Sequence, residues 1–323
     1  MSQNSLTVSY TLTEYDEADY EAMVRIQKAV RPDEYISVED LRDWDENQRE
    51  AGRRSSRWIA SIDGAVVGYG SLGESPWLNG PIRYAEISVH PDHQHQGIGR
   101  SLLERVESLA GERSVEALIG GTEEHRERAI RFIEAAGYAE IDRDWRSTLD
   151  LSEFDPEDWS EAVERVTSTG VRIVSAAELS ETTPDWIDRL HELHMEVEAD
   201  MPIQITIAPM PRDDFETLML GRKMLPNAYL VAIDGDDLVG LTQPERVDGE
   251  DDVIAQEMTG VAARARGRGI ATALKVAAAT WAKDAGYRSI RTYNAKSNAP
   301  MLAVNRKLGF VLDQGFIDFK KEL

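Results

Sequence analysis

The 323-residue sequence predicts an α/β (α+β) chain built from one domain repeated twice. Three observations carry this. The length suits two domains of about 150 residues each. A glycine-rich segment occurs twice, as ISVHPDHQHQGIGRSLLERV from Ile87 and TGVAARARGRGIATALKVAA from Thr259. Gly97 and Gly269 are 172 positions apart (269 − 97), and the same shift carries Val89 onto Val261, Gln94 onto Arg266, Gly99 onto Ala271 and Leu102 onto Leu274. It also carries Gly137-Tyr138 onto Gly309-Phe310 and Gly68 onto Gly240. Third, both copies read in the order β-α-α-β-β-β-α-β-α-β. The expected domains are residues 5–151 and 171–323, joined by an acidic linker over 152–170 with a helix near Glu157 to Val166.

Each copy opens with a strand, followed by helical stretches from Asp16 to Val30 and from Pro184 to Ala199. A hairpin comes next: Asp63-Gly64 sits between the apolar runs Trp58 to Ile62 and Ala65 to Ser71, and Asp234-Gly235-Asp236 between Tyr229 to Ile233 and Leu238 to Thr242. Asp-Gly between apolar runs is a strong hairpin signal. A third strand of the meander, Arg83 to Val89 or Val253 to Val261, leads into the glycine segment. A helix follows at once, with Ile98, Leu102, Leu103, Val106 and Leu109 at helical spacing, matched by Ile270, Leu274, Ala278 and Trp281. Then come a strand (Val115 to Ile119; Ser289 to Tyr293), a helix stopped by Gly137 or Gly309, and a closing strand (Trp145 to Leu151; Phe316 to Phe319).

Composition narrows the function classes. With 59 acidic and 36 basic residues the net charge is −23, which disfavours nucleic acid and anionic lipid as partners. No run of about 18 apolar residues predicts a membrane span, and the first residues lack a secretory pattern. The absence of cysteine removes thiolate nucleophiles and thiolate metal ligands and fits a cytoplasmic protein. His90, His93 and His95 lack an accompanying carboxylate triad, so no metal is expected.

The two loops, Gln94-His95-Gln96-Gly97-Ile98-Gly99 and Arg266-Gly267-Arg268-Gly269-Ile270-Ala271, lie between a strand and a helix. Consecutive backbone N–H groups and the helix dipole hold an anion at such a junction. Gly97 and Gly269 permit close backbone approach, the small Gly99 and Ala271 let the helix lie near a ligand, and Gln94 or Arg266 offers a side-chain donor. No Gly-Lys-Ser/Thr follows, and the glycine spacing is not that of a dinucleotide fingerprint.

On these residues the chain resembles the GNAT acetyltransferase superfamily, whose hallmark is Gln/Arg-x-x-Gly-x-Gly/Ala after the fourth strand. Val89-His90-Pro91 keeps the family's approach to the loop, whereas Ala263 replaces the proline in the second copy. The closing helices Ala129 to Tyr138 and Asn298 to Phe310 match as well. The resemblance implies, in each copy, a mixed and mostly antiparallel sheet flanked by helices, with a V-shaped split between strands 4 and 5. It implies acetyl-CoA as cofactor, held by Val89, Gln94, His95, Gln96, Gly97, Ile98, Gly99 and Arg100 in the first copy. In the second the set is Val261, Arg266, Gly267, Arg268, Gly269, Ile270, Ala271 and Thr272, with Asn294 and Asn298 near the pantetheine. The expected reaction is direct transfer of an acetyl or small acyl group to an amine, most simply a small molecule. A protein lysine or N-terminus and a non-catalytic acyl-CoA sensor are the alternatives, and a monomer or homodimer is expected.

Aminolysis of a thioester needs a base for the amine, a donor for the oxyanion and an acid for the thiolate. Glu86 is the candidate base by family position. Its register partner is Met258; the neighbouring Glu257 should point to the opposite face, because side chains alternate along a strand. The family's acid is a tyrosine four residues before the closing glycine, where this chain has Ile133 and Asn305. Asn305 is the candidate for hydrogen bonding to sulfur. Tyr293 reads as a core tyrosine and Asn298 as a helix cap, with Thr122 and Arg126 in the corresponding region of the first copy. His191 and His194 read as a solvated helix face, and Glu39, Asp40, Glu198 and Asp200 as solvated surface.

Overall fold

The computed structural model describes residues 9–32, 36–78, 80–201 and 208–323. The expected start of the first domain at residue 5, and 202–207 within the acceptor-side stretch of the second copy, lie outside the described residues. The chain forms two compact units: residues 1–121, 131–140 and 318–323 make the first, and residues 122–130 and 141–317 the second.

In the first unit, β1 (Thr11–Glu14), α1 (Tyr20–Val30) and α2 (Val38–Glu50) precede the meander β2 (Ser55–Ile62), β3 (Ala65–Gly73) and β4 (Ile82–Val89). Then come α3 (Ile98–Glu112) and β5 (Ala117–Glu123). Strand order is β1-β2-β3-β4-β5, antiparallel up to β4 and parallel between β4 and β5. Ser37 starts α2 with a capping box, accepting from the Asp40 N–H while Asp40 accepts from Ser37 N–H. Asp63 and Gly64, both at positive φ, make the tight β2–β3 turn expected of Asp-Gly. A core of Tyr20, Met23, Ile26, Ile59 and Tyr69 fills the space beneath α1. On the opposite face α3 buries Ile98, Leu102, Leu103, Val106 and Ala110, with Leu109 only half-buried.

The chain continues through α4 (Glu127–Ala135), β6 (Ala139–Asp150), a 3₁₀ turn at Pro156–Trp159 and α5 (Ser160–Thr167). The linker helix therefore starts with a tighter turn than expected, because Asp155 accepts from the Glu157 N–H and Pro156 opens the turn. The second unit follows with β7 (Val171–Ser175), α6 (Ala176–Thr182), α7 (Trp186–Glu198), α8 (Arg212–Met219), β8 (Leu230–Asp234), β9 (Asp237–Arg246) and β10 (Val253–Val261). It ends with α9 (Ile270–Asp284), β11 (Ser289–Ala295), α10 (Ala299–Leu308) and β12 (Val311–Glu322). Strand order in this unit is β12-β6-β11-β10-β9-β8-β7. Val166 of α5 packs with Ala265, Ile270 and Ala273, so the linker helix contributes to the core.

The closing strands are longer than expected: β6 begins at Ala139 and β12 at Val311. Their opening residues, Ala-Glu-Ile-Asp-Arg-Asp and Val-Leu-Asp-Gln, carry charged or exposed apolar side chains and lack the sustained apolar/polar alternation that marks a strand. Residues 144–150 of β6 pair antiparallel with β11, from Asp150↔Ser289 to Asp144↔Ala295. In the first unit, the chain end closes back with the Leu323 N–H donating to the Glu116 carbonyl at 2.9 Å.

Two backbone features recur in both units. A Cβ on Gly68 would stand 3.0 Å from the Ser88 carbonyl oxygen, and one on Gly240 would stand 3.2 Å from that of Gly260. These glycines let the third strand press against the fourth, which explains their shared register. The parallel pair also opens early in each unit. β4 and β5 are in register only from Ile82↔Ala117 to Tyr84↔Ile119, and β10 and β11 only from Val253↔Ser289 to Gln256↔Thr292. Beyond those points the strands part, giving the V-shaped split.

Candidate functional site

Each glycine loop follows the strand that borders its split. Gly97 and Gly269 sit at φ +86° and +84° at the N-caps of α3 and α9, and neither helix has a side-chain cap. The first-turn N–H groups of Ile98, Gly99 and Arg100, and of Ile270, Ala271 and Thr272, are thus left without a capping side chain, which is what an anion cradle requires. Two residues earlier, His95 has φ +63° and Gly267 φ +75°. The turn needs left-handed backbone at that position in both copies. Glycine supplies it without strain, and histidine adopts it at a cost of order 1 kcal/mol.

The first loop residues are placed differently from expectation. Gln94 Nε2 donates to the Val89 carbonyl at 3.0 Å, and Arg266 Nε donates to the Val261 carbonyl at the same distance. Both tie the loop to the end of its strand. Arg266 also reaches Asp200 at 2.6 Å, and Arg268 reaches Asp234 at 2.6 Å, so both guanidinium groups are paired with carboxylates. In both copies the groups left uncapped at the loop are backbone N–H groups.

The candidate base of the first copy is half-buried on β4. Glu86 Oε1 accepts from the Tyr69 hydroxyl at 2.6 Å and from Ser88 Oγ at 3.3 Å. Burial, and then the Glu86 charge, drive the Tyr69 pKa well up, so the phenol keeps its proton, its one O–H lying between Glu86 and the Gln27 amide oxygen, also 2.6 Å away. β4 runs beside β3 without a break in register. Nearby, Asp45 Oδ2 accepts from Tyr15, Tyr20 and Arg57, with Asp45 and Arg57 both buried and Asp45 Oδ1 left without a partner.

The fourth strand of the second copy differs. Its pairing with β9 runs Ala255↔Glu245, Gln256↔Pro244, then Met258↔Gln243, so Glu257 is an extra residue in a β-bulge. The bulge interrupts the simple alternation on which the expectation for Glu257 rested. The Glu257 charge contributes to raising the Glu245 pKa. Desolvation first, then Glu257, push Glu245 up to about 7, while the Gln243 amide, donating at 2.7 Å, opposes the shift. Desolvation raises Glu257 as well, although it keeps solvent access, and Lys223 opposes that rise. A carboxylate titrating near neutrality beside a second carboxylate is suited to general-base work.

The remaining second-copy candidates cluster around β11 and α10. Asn305 is 1% exposed, its Nδ2 donates to Asn294 Oδ1 at 2.6 Å, and its own Oδ1 has no protein partner. Asn298 accepts from the Met301 N–H at 3.3 Å and is a helix cap, as expected. Tyr293 is no core residue: it is 45% exposed and faces outward on β11, opposite Arg146 in register. Arg126 pairs with Glu123 at 3.3 Å, and Thr122 is buried beside it.

The α7 residues also depart from a solvated face. His194 is buried against Phe215, with ring centroids 5.1 Å apart, and burial lowers its pKa to about 4. His191 bonds the Met210 carbonyl at 2.8 Å. Glu198 is buried too, and desolvation raises its pKa. Phe215 lies on α8, the added helix that walls this side, so the three polar residues turn toward protein.

With two cradles and two splits in place, the chain matches the model of the Acetyltransferase (GNAT) family at residues 21–138 and again at 190–310. The chain belongs to that family. It is 24% identical over 251 residues to a mycothiol acetyltransferase of Pseudarthrobacter chlorophenolicus, covering 76% of this chain and 71% of the relative. It is 27% identical to that of Amycolatopsis mediterranei over 276 residues, covering 78% and 79%. A tandem GNAT protein from the clavulanic acid biosynthesis pathway superposes with TM-score 0.74 at 21% identity, over 97% of this chain and 98% of that one. A GCN5-related N-acetyltransferase of Sphaerobacter thermophilus gives 0.72 at 19% identity, over 97% and 95%. The chain is thus a tandem GNAT protein with two GNAT-like halves.

Sequence reasoning missed Glu245 because a glutamate near a strand end reads as solvated, and the bulge that brings Glu257 beside it leaves no sequence signature. The signal was relative: Glu245 stands where the first copy has Gly73, the last residue of its third strand.

Proposed function

We propose that this GNAT protein transfers an acetyl group, or another small acyl group, from acetyl-CoA to an amine, and that the second copy performs the chemistry. The observation that carries this reading is the Glu245–Glu257 pair beside the β10 bulge, on the strand that borders the second split. The backbone cradle at 266–272 would take the pyrophosphate and the split would take the pantetheine arm. Acetyl-CoA supplies the activated thioester. Glu245 takes a proton from the incoming ammonium, directly or through water. An alkylamine titrates near ~10, so a base near neutrality holds the reactive free amine in place at physiological pH. Asn294 holds Asn305, whose open Oδ1 is an acceptor for the pantetheine amide or the thiol.

The first copy, in this reading, holds acyl-CoA without turning it over. Its cradle is complete, but its fourth strand lacks the bulge and Tyr69 occupies Glu86. We take 5–151 and 171–323 as the two repeated domains, 152–170 as the linker, and a small amine in the cytoplasm as the acceptor. A turnover assay with acetyl-CoA, a free-thiol readout and an amine panel tests this. Thiol release that depends on an amine supports transfer. CoA binding without thiol release for any amine, peptide or protein N-terminus would instead make the protein an acyl-CoA sensor.

A further inference from the structure

The β10 bulge is braced from behind by a buried polar chain. Lys275, on α9, is 2% exposed, donates through Nζ to Gln256 Oε1, and lies 5.0 Å above the Phe310 ring. Gln256 Nε2 donates to Thr242 Oγ1 at 2.7 Å, and Thr242 Oγ1 meets Thr259 Oγ1 at 2.7 Å. Thr292 Oγ1 donates to the Gln256 backbone carbonyl at 2.9 Å. Gln256 is both the last residue paired with β11 and the residue just before the bulge. The chain therefore spans the bulge on the α9 face, with Gln256 at one side and Thr259 at the other.

The first copy is an internal control. At the offset of 172, Lys275 corresponds to Leu103, Thr242 to Gly70 and Thr259 to Ile87; by strand pairing, Gln256 corresponds to Ala85, since each faces the same position of the preceding strand. All four places are apolar there, and that copy has no bulge. Burying a lysine without a carboxylate partner is destabilising relative to a well-packed apolar core. Burial alone brings the Lys275 pKa down to about 7. A feature so unfavourable, found only behind the bulge, calls for a role in the bulge's geometry.

We propose that Lys275 is a positioning residue for acyl transfer: through Gln256 it fixes the vertex of the β10–β11 split and holds the bulge that sets Glu257 beside Glu245. The proposal rests on the second copy being catalytic. It also links α9, which begins at the cofactor cradle, to the reacting end of the split.

The test compares the double variant Lys275→Leu/Gln256→Leu with wild type in the full chain. The double variant restores an apolar core like that of the first copy and leaves neither partner of the removed bond unpaired. Expected are a Tm at or above wild type, a Kd for acetyl-CoA within about three-fold, and a kcat at least ten-fold lower with little change in the acceptor KM. Carboxyl-¹³C titration of Glu245 supplies a readout independent of turnover: its midpoint should fall from near neutrality toward the ordinary carboxylate range. Gln256→Glu, which keeps a tether for Lys275, should retain kcat within about three-fold, and it carries the test if the double variant folds poorly. A folded double variant with wild-type kcat and an unmoved Glu245 midpoint overturns the proposal, as does a Gln256→Glu variant as impaired as the double. Absence of transfer by wild type to every acceptor, with the Glu245 midpoint still shifting in the double variant, would overturn the catalytic reading and leave the positioning of the bulge standing.

Discussion

The two copies share a fold and a cradle and differ at one turn of the fourth strand. In the first copy β4 pairs with β3 without interruption, Glu86 is held by Tyr69 and Ser88, and the core behind it is apolar. In the second, one extra residue at Glu257 interrupts the pairing, its charge raises the Glu245 pKa, and a buried lysine donates to Gln256 just before the bulge. A single inserted strand residue therefore separates two otherwise repeated fourth strands. The comparison also shows which parts of the repeat are under common constraint. Left-handed backbone before the cradle and glycine at 68 and 240 recur because the backbone geometry demands them. The ionisable groups do not recur.

The largest expected effect breaks this comparison directly. Glu245→Gln should lower kcat/KM for the acceptor by about 10²–10⁴, the range of a lost general base, whereas Glu86→Gln should change it less than two-fold. Steady-state kinetics of the two variants side by side decide it, and equal losses would abolish the distinction between the copies.

A smaller effect sharpens the cradle. Gly267→Val places a β-branched residue at φ +75° and should weaken acetyl-CoA affinity by about ten- to a hundred-fold through about 1–3 kcal/mol of backbone strain. Calorimetric titration measures it: unweakened binding at half the wild-type stoichiometry reports the first cradle alone, and two sites of unchanged affinity would contradict the prediction.

The folds of the copies were legible because they are written in periodicity and turn chemistry. Asp63-Gly64, Gly68, the stripe from Ile98 to Val106 and Gly137 each constrain backbone or burial locally, and each reappears 171 or 172 residues later. The cradles were legible for the same reason. The Glu245–Glu257 arrangement was not, because it sits at a register slip. Alternation along β10 is interrupted at the bulge, and Glu245 acquires its character from burial and a neighbour on another strand. His194 was illegible for a related reason: Phe215 of α8 covers it, and nothing in its own helix announces a cover.

Acid should expose that cover. His194 is held neutral in the fold, with its pKa lowered from about 6.5 to about 4, so the folded state binds fewer protons than the unfolded chain between those values. The contribution is complete above about pH 6.5 and is lost as pH falls toward 4. Urea midpoints measured from pH 7 to 4.5 should decline, and His194→Phe should reduce the slope.

The smallest effect concerns the cradle's one strained non-glycine residue. His95→Gly removes side-chain strain at φ +63° and should stabilise the protein by at most about 1 kcal/mol, seen as a rise in the Tm of the first transition without change in kcat.

The pH dependence of kcat/KM addresses the central claim most directly, with acetyl-CoA saturating and a good amine acceptor. The account predicts a rate that rises with pH through an apparent pKa of about 7, the midpoint belonging to the Glu245–Glu257 pair, and a Glu245→Gln variant in which that limb is gone. A profile that keeps its limb near 7 in Glu245→Gln, or that loses it only in Glu86→Gln, would contradict it.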